Sequence, residues 1–407
     1  MLALRSALVS LGHDCELFFF ERGTMEPYLP PGVPVHFGSL ADCLRLVSRN
    51  GFDVVHANNV DWPTGISAVR RVGAKLVLTA HKVRPPAWTY GWTSANCDAL
   101  TTVSHDIRGE LQPYTDVPIQ VVHNGVDIHR FAPRTAPQSP PPIIAWIGRG
   151  TSPLKGLDRF ATVAPLLRDA GFRVWLIDQH GPAVFAEQHP ASAEVLRRSV
   201  ERWDGVPYER MPALYQEIAA SGGCVVSTSR AEGLPLALLE AQSCGCGVIA
   251  SDVRGNRECV SNQHGGLLYS PGLAPADLAA LIANQLSDRS HLRACQAAAA
   301  TWVRSQFSLE GMAGRYLEIY RDAPFDGVGS LAARVRARMR LSPLLDWRAY
   351  LEQRWGVGYR QYQTSSELMA AGDAPLAAAA AKASFKTTPT LAFRPRRLAT
   401  LLRYLTS

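Results

Sequence analysis

Two carboxylates, Glu232 and Glu240, lie in the segment Ser229-Arg-Ala-Glu-Gly-Leu-Pro-Leu-Ala-Leu-Leu-Glu-Ala-Gln-Ser-Cys-Gly245. The pattern places Glu232 in a loop before a helix and Glu240 inside that helix, about 1.5 turns further in. Pro235 fits the first helical turn, where its missing N–H costs nothing. Gly233, Leu234, Pro235 and Leu236 open the helix. The amides after Glu232 then point out of its start, where an anion such as a phosphate binds well. An ionised carboxylate accepts from two adjacent hydroxyls. The spacing therefore suits a long ligand with a phosphate in its middle and a hydroxyl-bearing ring at each end, as in a nucleotide-sugar. The plainer alternative is two solvated glutamates near a helix start, stabilised by its dipole.

These residues need a scaffold that delivers loops to one place. The first part of the chain has strand-like runs at Cys15–Phe20, Val33–Phe37, Asp53–Ala57, Lys75–Ala80, Ala99–Val103 and Ile119–His123. Helical patterns fall near 40–49, 63–72 and 104–113. Apolar strands alternating with helices imply a parallel, doubly wound sheet. The Pro-rich stretch Pro133–Pro142 reads as a linker. A second series follows, with strands at Ile143–Ile147, Phe172–Ile177, Cys224–Ser227, Gly247–Ser251 and Gly266–Tyr269. Its helices fall near 157–169, 209–220, 235–244, 275–287 and 290–305. Two such halves form a cleft, and ligands of open α/β sheets bind at the carboxyl ends of the strands. Beyond about residue 324 the alternation stops. A basic stretch (Leu331–Arg340), an Ala-rich segment and a basic Pro395–Leu405 helix read as an appended helical module.

A length of 407 residues accommodates two or three domains, and a hydrophobic content of 47% excludes wholesale disorder. The net charge of +7 is uneven: residues 326–407 hold 13 Lys/Arg against 5 Asp/Glu, so the main body is near neutral. A basic tail can meet anionic lipid, nucleic acid or an acidic polymer. The eight cysteines are scattered without a CxxC pair, the usage of reduced thiols rather than of a disulfide or zinc framework. Cys244-Gly-Cys246 reads as small buried residues at a helix end. No apolar run is long enough to span a bilayer, and residues 1–11 read as an amphipathic helix without a cleavage-site pattern.

Several segments agree with one another. Past the glutamates come a buried strand, Gly247-Val-Ile-Ala-Ser251, and the turn Arg254-Gly-Asn-Arg-Glu258. Ile147-Gly-Arg-Gly-Thr-Ser-Pro-Leu-Lys-Gly-Leu157 follows the first strand of the second half. Asp53-Val-Val-His-Ala57, Val122-His-Asn-Gly-Val-Asp127 and Phe307–Tyr320 add to these. Together, over roughly residues 1–322, the chain resembles the family-4 retaining glycosyltransferases of the two-domain GT-B fold (glycosyltransferase group 1). Their pattern is G-R-x-x-x-x-K-G, S-x-x-E-G-x-P-x-x-x-x-E-A-x-x-x-G, P-V-I-A-S and G-G-x-x-E. Gly247 stands where that family often has Pro, and Arg254-Gly255 replaces its Gly-Gly pair.

The resemblance implies a role for each motif residue. Glu232 would hold sugar hydroxyls and Glu240 the ribose diol, with Gly233, Leu234, Pro235 and Leu236 at the donor. Arg149 and Lys155 would neutralise the pyrophosphate, Arg149 as a planar fork and Lys155 as a point charge. Their effect would peak as the departing diphosphate gains charge. His81, at a strand end by the cleft mouth, would orient the sugar or the leaving phosphate; a packing histidine is the alternative. His56 and His13 read as structural, Trp203 as core, and Gly181-Pro182 as the remnant of a turn near the base. No Asp-x-Asp metal motif is present, and no metal or cofactor is expected beyond the donor substrate.

The expected architecture is two Rossmann-like, doubly wound α/β domains facing a cleft. Residues 1–138 form the acceptor side, 139–307 the nucleotide-sugar side, 308–324 a helix returning to the first domain, and 325–407 the basic helical extension. The family usually has a strand and a Gly-Gly loop before its first helix, whereas this sequence begins at Met1 within what matches that helix, so the first domain is expected to lack its first strand. The expected activity is transfer of a sugar, with retention, from an NDP-sugar to a hydroxyl on a saccharide or lipid-linked acceptor in cell-surface glycan or lipopolysaccharide assembly. The alternatives are a non-catalytic nucleotide-sugar binder, or another GT-B enzyme such as a phosphorylase or epimerase. A cytoplasmic location is expected, with the tail on the anionic inner face of the membrane and no nucleic-acid partner.

Overall fold

A computed structural model of the chain describes residues 1–22, 29, 31–58, 67–83, 97–134, 141–178 and 183–323. The strands are β1 (Leu17–Phe19), β2 (Val35–Phe37), β3 (Val54–Asn58), β4 (Lys75–Ala80), β5 (Ala99–Thr102) and β6 (Ile119–Val121), then β7 (Ile143–Gly148), β8 (Arg173–Asp178), β9 (Glu201–Asp204), β10 (Cys224–Ser227), β11 (Gly247–Ser251) and β12 (Leu267–Tyr269). The helices are α1 (Leu2–Ser10), α2 (Leu40–Asn50), α3 (His105–Leu111), α4 (Leu157–Asp169), α5 (Ala183–Gln188) and α6 (Pro190–Ser199), then α7 (Met211–Ala220), α8 (Leu236–Ser243), α9 (Asn256–Cys259), α10 (Pro275–Ser287), α11 (Arg289–Gln306) and α12 (Leu309–Asp322).

Two doubly wound α/β halves result, as the alternation of strands and helices implies. The second half carries a six-stranded sheet in the order β12-β11-β10-β7-β8-β9. Its ladders are parallel, as are those of the first half. Helices cover such a sheet on both faces, so its central strands run continuously apolar: all of Cys224–Ser227 and Gly247–Ser251 is buried. Among the described residues of the first half, β3-β4-β5-β6 form one sheet and β1-β2 another, with no ladder between β1 and β3.

Local chemistry sets the element ends. The Ser39 side chain accepts from the Asp42 amide while the Asp42 carboxylate accepts from the Ser39 amide, a reciprocal cap that starts α2. Gly51 ends it in the left-handed region. Trp203 joins the core through β9, its ring 5.1 Å from that of Trp175. The β9 sequence Glu-Arg-Trp-Asp carries three charges and no apolar alternation, so its pattern gives no strand signal; pairing with β8 and the Arg173–Glu201 ion pair at 2.9 Å hold it at the sheet edge. The pair α5 and α6 is likewise absent from the periodicity reading. The helix expected at 63–72 is a 3₁₀ segment over Ser67–Val72, and its first residues lie outside those described. So do Gly181-Pro182, most of the Pro-rich linker and the extension beyond residue 323. Among the described residues, no helix is long and apolar enough to cross a membrane. Cys244 and Cys246 are buried.

The chain returns to the first half through α12. Val126 and Leu309 exchange backbone contacts there: the Val126 amide donates to Phe307 O at 2.7 Å and the Leu309 amide to Val126 O at 2.9 Å. A Cβ on Gly125 would sit 2.7 Å from the Leu309 Cα, which is why the Asn-Gly-Val-Asp turn needs glycine at that place. Tyr316 and Ile319 of α12 then pack on Val77, Ala99 and Val122, and Ala313 packs on Ala7 and Leu8 of α1.

His56 ties these layers together. One ring nitrogen lies 2.7 Å from the Tyr320 hydroxyl and the other 2.6 Å from Thr79 Oγ1. Burial pushes its pKa down to about 3, so the ring is neutral at neutral pH. His13, by contrast, lies exposed just after the turn that follows α1. A histidine whose folded pKa is depressed stabilises the fold above its unfolded value near 6.5, and that contribution drains away as pH falls toward 3. Thermal unfolding between pH 7 and 4 should therefore show Tm dropping with acid, and His56→Gln should flatten that dependence; an unchanged slope would refute the assignment.

Candidate functional site

The carboxyl ends of β7 and β10 deliver two loops that meet. After β7, a short 3₁₀ turn (Pro153–Lys155) ends at Gly156, whose φ of +67° is a left-handed conformation. A Cβ there would sit 2.1 Å from the Thr228 carbonyl oxygen. Lys155 is therefore followed by glycine because backbone lies against backbone. Thr228 secures the contact: its hydroxyl donates to Gly156 O at 2.7 Å and accepts from the Trp146 indole at 3.1 Å.

With the loops so held, Lys155 Nζ donates to Glu232 Oε1 at 2.7 Å, and Ser229 Oγ donates to the same oxygen at 2.7 Å. Both side chains of the ion pair are mostly buried, at 22% and 11% exposure. Such a pair interacts more strongly than a surface one, because less water screens it. The Glu232 amide in turn donates to Arg254 O at 3.2 Å. Gly255, with φ of +77°, lets that turn close, since a Cβ would fall 2.6 Å from Glu232 O. Arg149 is exposed on the neighbouring turn. That turn is anchored by the buried Asp178, whose Oδ1 accepts from the Gly150 amide at 3.0 Å. Pro235 takes the N-cap of α8 rather than its first turn, one place earlier than expected; its carbonyl accepts from the Leu238 amide at 3.1 Å. Leu234 is buried and Leu236 exposed at the helix start.

The first half supplies the facing wall. A Cβ on Gly233 would lie 2.5 Å from the His81 carbonyl oxygen, so the Glu232-Gly233 loop touches the end of β4 directly. The His81 ring is held by Asn58 at the end of β3, with Nε2 2.8 Å from Oδ1. Burial lowers its pKa to about 4, which leaves the imidazole neutral at neutral pH.

Glu240 has surroundings that its position in the sequence does not disclose. It is 7% exposed. The Tyr208 hydroxyl donates to Oε1 at 2.9 Å and the Tyr215 hydroxyl to Oε2 at 3.3 Å. Burial pushes its pKa up to about 7, against the opposing pull of the two tyrosines and of Arg130. The spacing of Glu232 and Glu240 thus places them on one short segment in unlike environments: Glu232 paired with a cation, Glu240 buried against neutral phenols.

A second contact crosses the cleft at Glu258. Its carboxylate accepts from the His105 and Asp106 amides at the start of α3, at 2.8 and 2.9 Å, and from His123 Nε2 at 2.9 Å. Burial pushes its carboxyl up, but these hydrogen bonds outweigh it and hold the group below its usual range. The Gly255 amide donates to Asp106 Oδ2 at 3.1 Å, and Arg254 pairs with Glu110. Among the described residues, His105, His123 and Glu258 could gather a metal ion, their ligand atoms all lying within 4.8 Å. Glu258 already spends both oxygens on the start of α3, which makes the cluster a clasp between the halves. The motif Arg-Gly-Asn-Arg-Glu carried a signal for Glu258; nothing in the pattern signalled Tyr208, Tyr215 or Asn58.

A buried carboxylate without a cation partner is a standing cost. The rise from 4.5 to about 7 corresponds to roughly 3 kcal/mol between the two protonation states. A carboxyl whose folded pKa is raised leaves stability intact below its unfolded value and lowers it as pH climbs through the folded one. Glu240→Gln should accordingly raise Tm at pH 8 while leaving it nearly unchanged at pH 4. An equal shift at both pH values would contradict the described environment.

Comparison with known proteins bears on the family and on the two-half fold. Residues 1–130 match the family model Glycosyltransferase Family 4, and residues 127–302 match Glycosyl transferases group 1. A D-inositol 3-phosphate glycosyltransferase of Frankia alni is 28% identical over 323 residues, covering 70% of this chain and 78% of the relative. The UDP-Gal:alpha-D-GlcNAc-diphosphoundecaprenol alpha-1,3-galactosyltransferase of Escherichia coli is 27% identical over 312 residues, covering 63% and 76%. Among solved structures, a glycosyltransferase from Rickettsia africae superposes with a TM-score of 0.65 at 20% identity, over 79% of this chain and 93% of that one. Anabaena HepE in complex with UDP-glucose superposes with a TM-score of 0.62 at 18% identity, over 79% and 95%. With two doubly wound halves, a Lys-Gly loop held against the Glu-Gly loop and both family models in succession, the chain belongs to the family-4, group 1 glycosyltransferases of GT-B fold, enzymes that move a sugar from an NDP-sugar donor to an acceptor.

Proposed function

We propose that the enzyme transfers its sugar with retention at the anomeric carbon, to a hydroxyl of a saccharide or lipid-linked acceptor in cell-surface glycan assembly. The observation that carries this reading is the Lys155–Glu232–Ser229 cluster set against His81 where the two halves touch. In this reading residues 1–138 form the acceptor side and 139–307 the donor side. The donor diphosphate lies against Arg149, Lys155 and the amides at the start of α8, where the helix dipole favours negative charge. Gly233, Leu234, Pro235 and Leu236 form that start. Glu232 accepts from sugar hydroxyls and Glu240 from the ribose diol.

The reaction then runs on one face of the sugar. The bond from the anomeric carbon to the phosphate oxygen breaks, the acceptor oxygen bonds to the same face, and the acceptor proton passes to the departing phosphate oxygen. Arg149 and Lys155 stabilise the charge gathering on that phosphate. The neutral ring of His81 orients the sugar or the phosphate by hydrogen bonding. Binding a diphosphate beside Lys155 loosens the Lys155–Glu232 pair, freeing Glu232 for the sugar. The relative that uses a diphosphoundecaprenol-linked acceptor supports a lipid-linked acceptor here too. The 13 basic residues of 326–407 support placing the chain on the anionic inner face of the membrane, at about 1 kcal/mol per Lys or Arg near the surface.

Two measurements bear on this reading. UDP-, GDP- and ADP-sugars assayed with saccharide and lipid-linked acceptors should yield a product whose anomeric configuration, read by NMR, matches the donor. Lys155→Ala and Glu232→Ala should each lower kcat/KM by about 10²–10³-fold; binding without turnover on any acceptor would favour a non-catalytic role instead. Separately, the full chain should co-sediment with anionic liposomes and a chain cut at residue 324 should not. Equal sedimentation of both would remove the membrane from the proposal.

A further inference from the structure

The closed environment of Glu240 has a purpose that follows from its geometry. The structure assigns Tyr208 and Tyr215 as positioning residues that hold the Glu240 carboxylate in place for the ribose of the donor. This inference rests on the reading of Glu240 as the ribose-binding group.

Three observations carry it. Each carboxylate oxygen receives one phenol, Tyr208 on Oε1 and Tyr215 on Oε2. A carboxylate oxygen accepts more than one hydrogen bond, so each still has capacity for one hydroxyl of a vicinal diol. Two fixed donors also remove the freedom of the carboxylate to rotate, and preorganisation of that kind lowers what a ligand must give up on binding. Next, no cation among the described residues pairs with Glu240. Arg130 is the nearest influence, but its guanidinium lies over the Tyr208 ring at 4.8 Å and 3.7 Å from Glu209. A cation would hold the carboxylate and also neutralise it; a phenol orients it and leaves its charge to attract hydroxyls. The thiol of Cys244, which also feels Glu240, is pushed up by burial and stays neutral. Both phenols are pushed up as well, by burial first and by Glu240 next, so they remain donors at any working pH. Last, Glu240 lies one turn after Leu236, on the same side of α8, and Leu236 is 39% exposed there. Tyr215 is fully buried while the Tyr208 ring is 50% exposed, so Tyr208 forms the open side of the carboxylate and the ribose would lie along its ring.

The alternative for Tyr208 is opposite in sign: its hydroxyl could occupy the position that ribose needs, and its loss would then tighten binding. Calorimetry of UDP, GDP and ADP with the full-length chain separates the two. The diphosphate that binds should lose affinity below about pH 7 as Glu240 takes up a proton. Tyr208→Phe removes one hydrogen bond to the charged form. It should weaken binding about 5–10-fold at pH 8, in line with the net contribution of a typical single hydrogen bond. It should also move the pH midpoint upward and shrink the preference for the ribonucleotide over its 2′-deoxy analogue. Tyr215→Phe should act in the same direction; because Tyr215 is fully buried, the half-exposed Tyr208 carries the decisive comparison. Tighter binding by Tyr208→Phe, or an unchanged midpoint and deoxy preference, overturns the inference. If a diphosphate binds wild type in a Lys155-dependent manner while Tyr208→Phe is indifferent, only the tyrosine role falls. If none binds, the donor-site reading falls with it.

Discussion

Backbone meets backbone around Glu232, and the site depends on there being no side chain between. Gly156 lies against Thr228 O, Gly255 against Glu232 O and Gly233 against His81 O, each so close that a methyl group would collide. Interiors are packed densely enough that such contacts cannot be relieved by small shifts. Four segments from the ends of different strands are thereby brought to one place, and only then can a lysine from one loop reach a carboxylate on another. The chemistry of the ion pair is thus secondary to the packing that presents it.

The rest of the fold serves that convergence. The parallel sheet of the second half places β7 and β10 side by side, so their following loops emerge together. Among the described residues, the first half meets these loops at the end of β4, along α3 and at His123. The clasp at Glu258 works on a helix start whose amides would otherwise need water or another cap. Glu232, in the loop after β10, and Glu258, in the short helix α9 after β11, therefore hold opposite kinds of partner. One is set beside a lysine at the site, and the other is spent on backbone amides across the cleft.

Much of this was legible in the residues. Central parallel strands are continuous apolar runs bounded by helices, and β4, β10 and β11 lie where the runs place them. The Lys-Gly and Glu-Gly-x-Pro segments marked the loops that meet, and Asn-Gly-Val-Asp marked a turn. What stayed hidden has a common physical origin. Tyr208 and Tyr215 reach Glu240 from 32 and 25 residues away, and a tyrosine in a helical pattern looks the same whether its hydroxyl meets water or a carboxylate. The edge strand β9 is held by a partner strand and an ion pair rather than by its own pattern. That the strands of the first half fall into two sheets, with β1 and β3 unlinked, is a matter of pairing, which the alternation of apolar runs does not encode.

The chain crosses between its halves twice, and the two crossings are hydrogen-bonded to each other at Val126, Phe307 and Leu309. Two strings tied side by side behave like a pin. The halves cannot slide past one another without tearing those bonds, but they can swing about them. Any opening of the cleft must therefore grow with distance from Val126. An opening about that pin would carry the contacts furthest from Val126 the most.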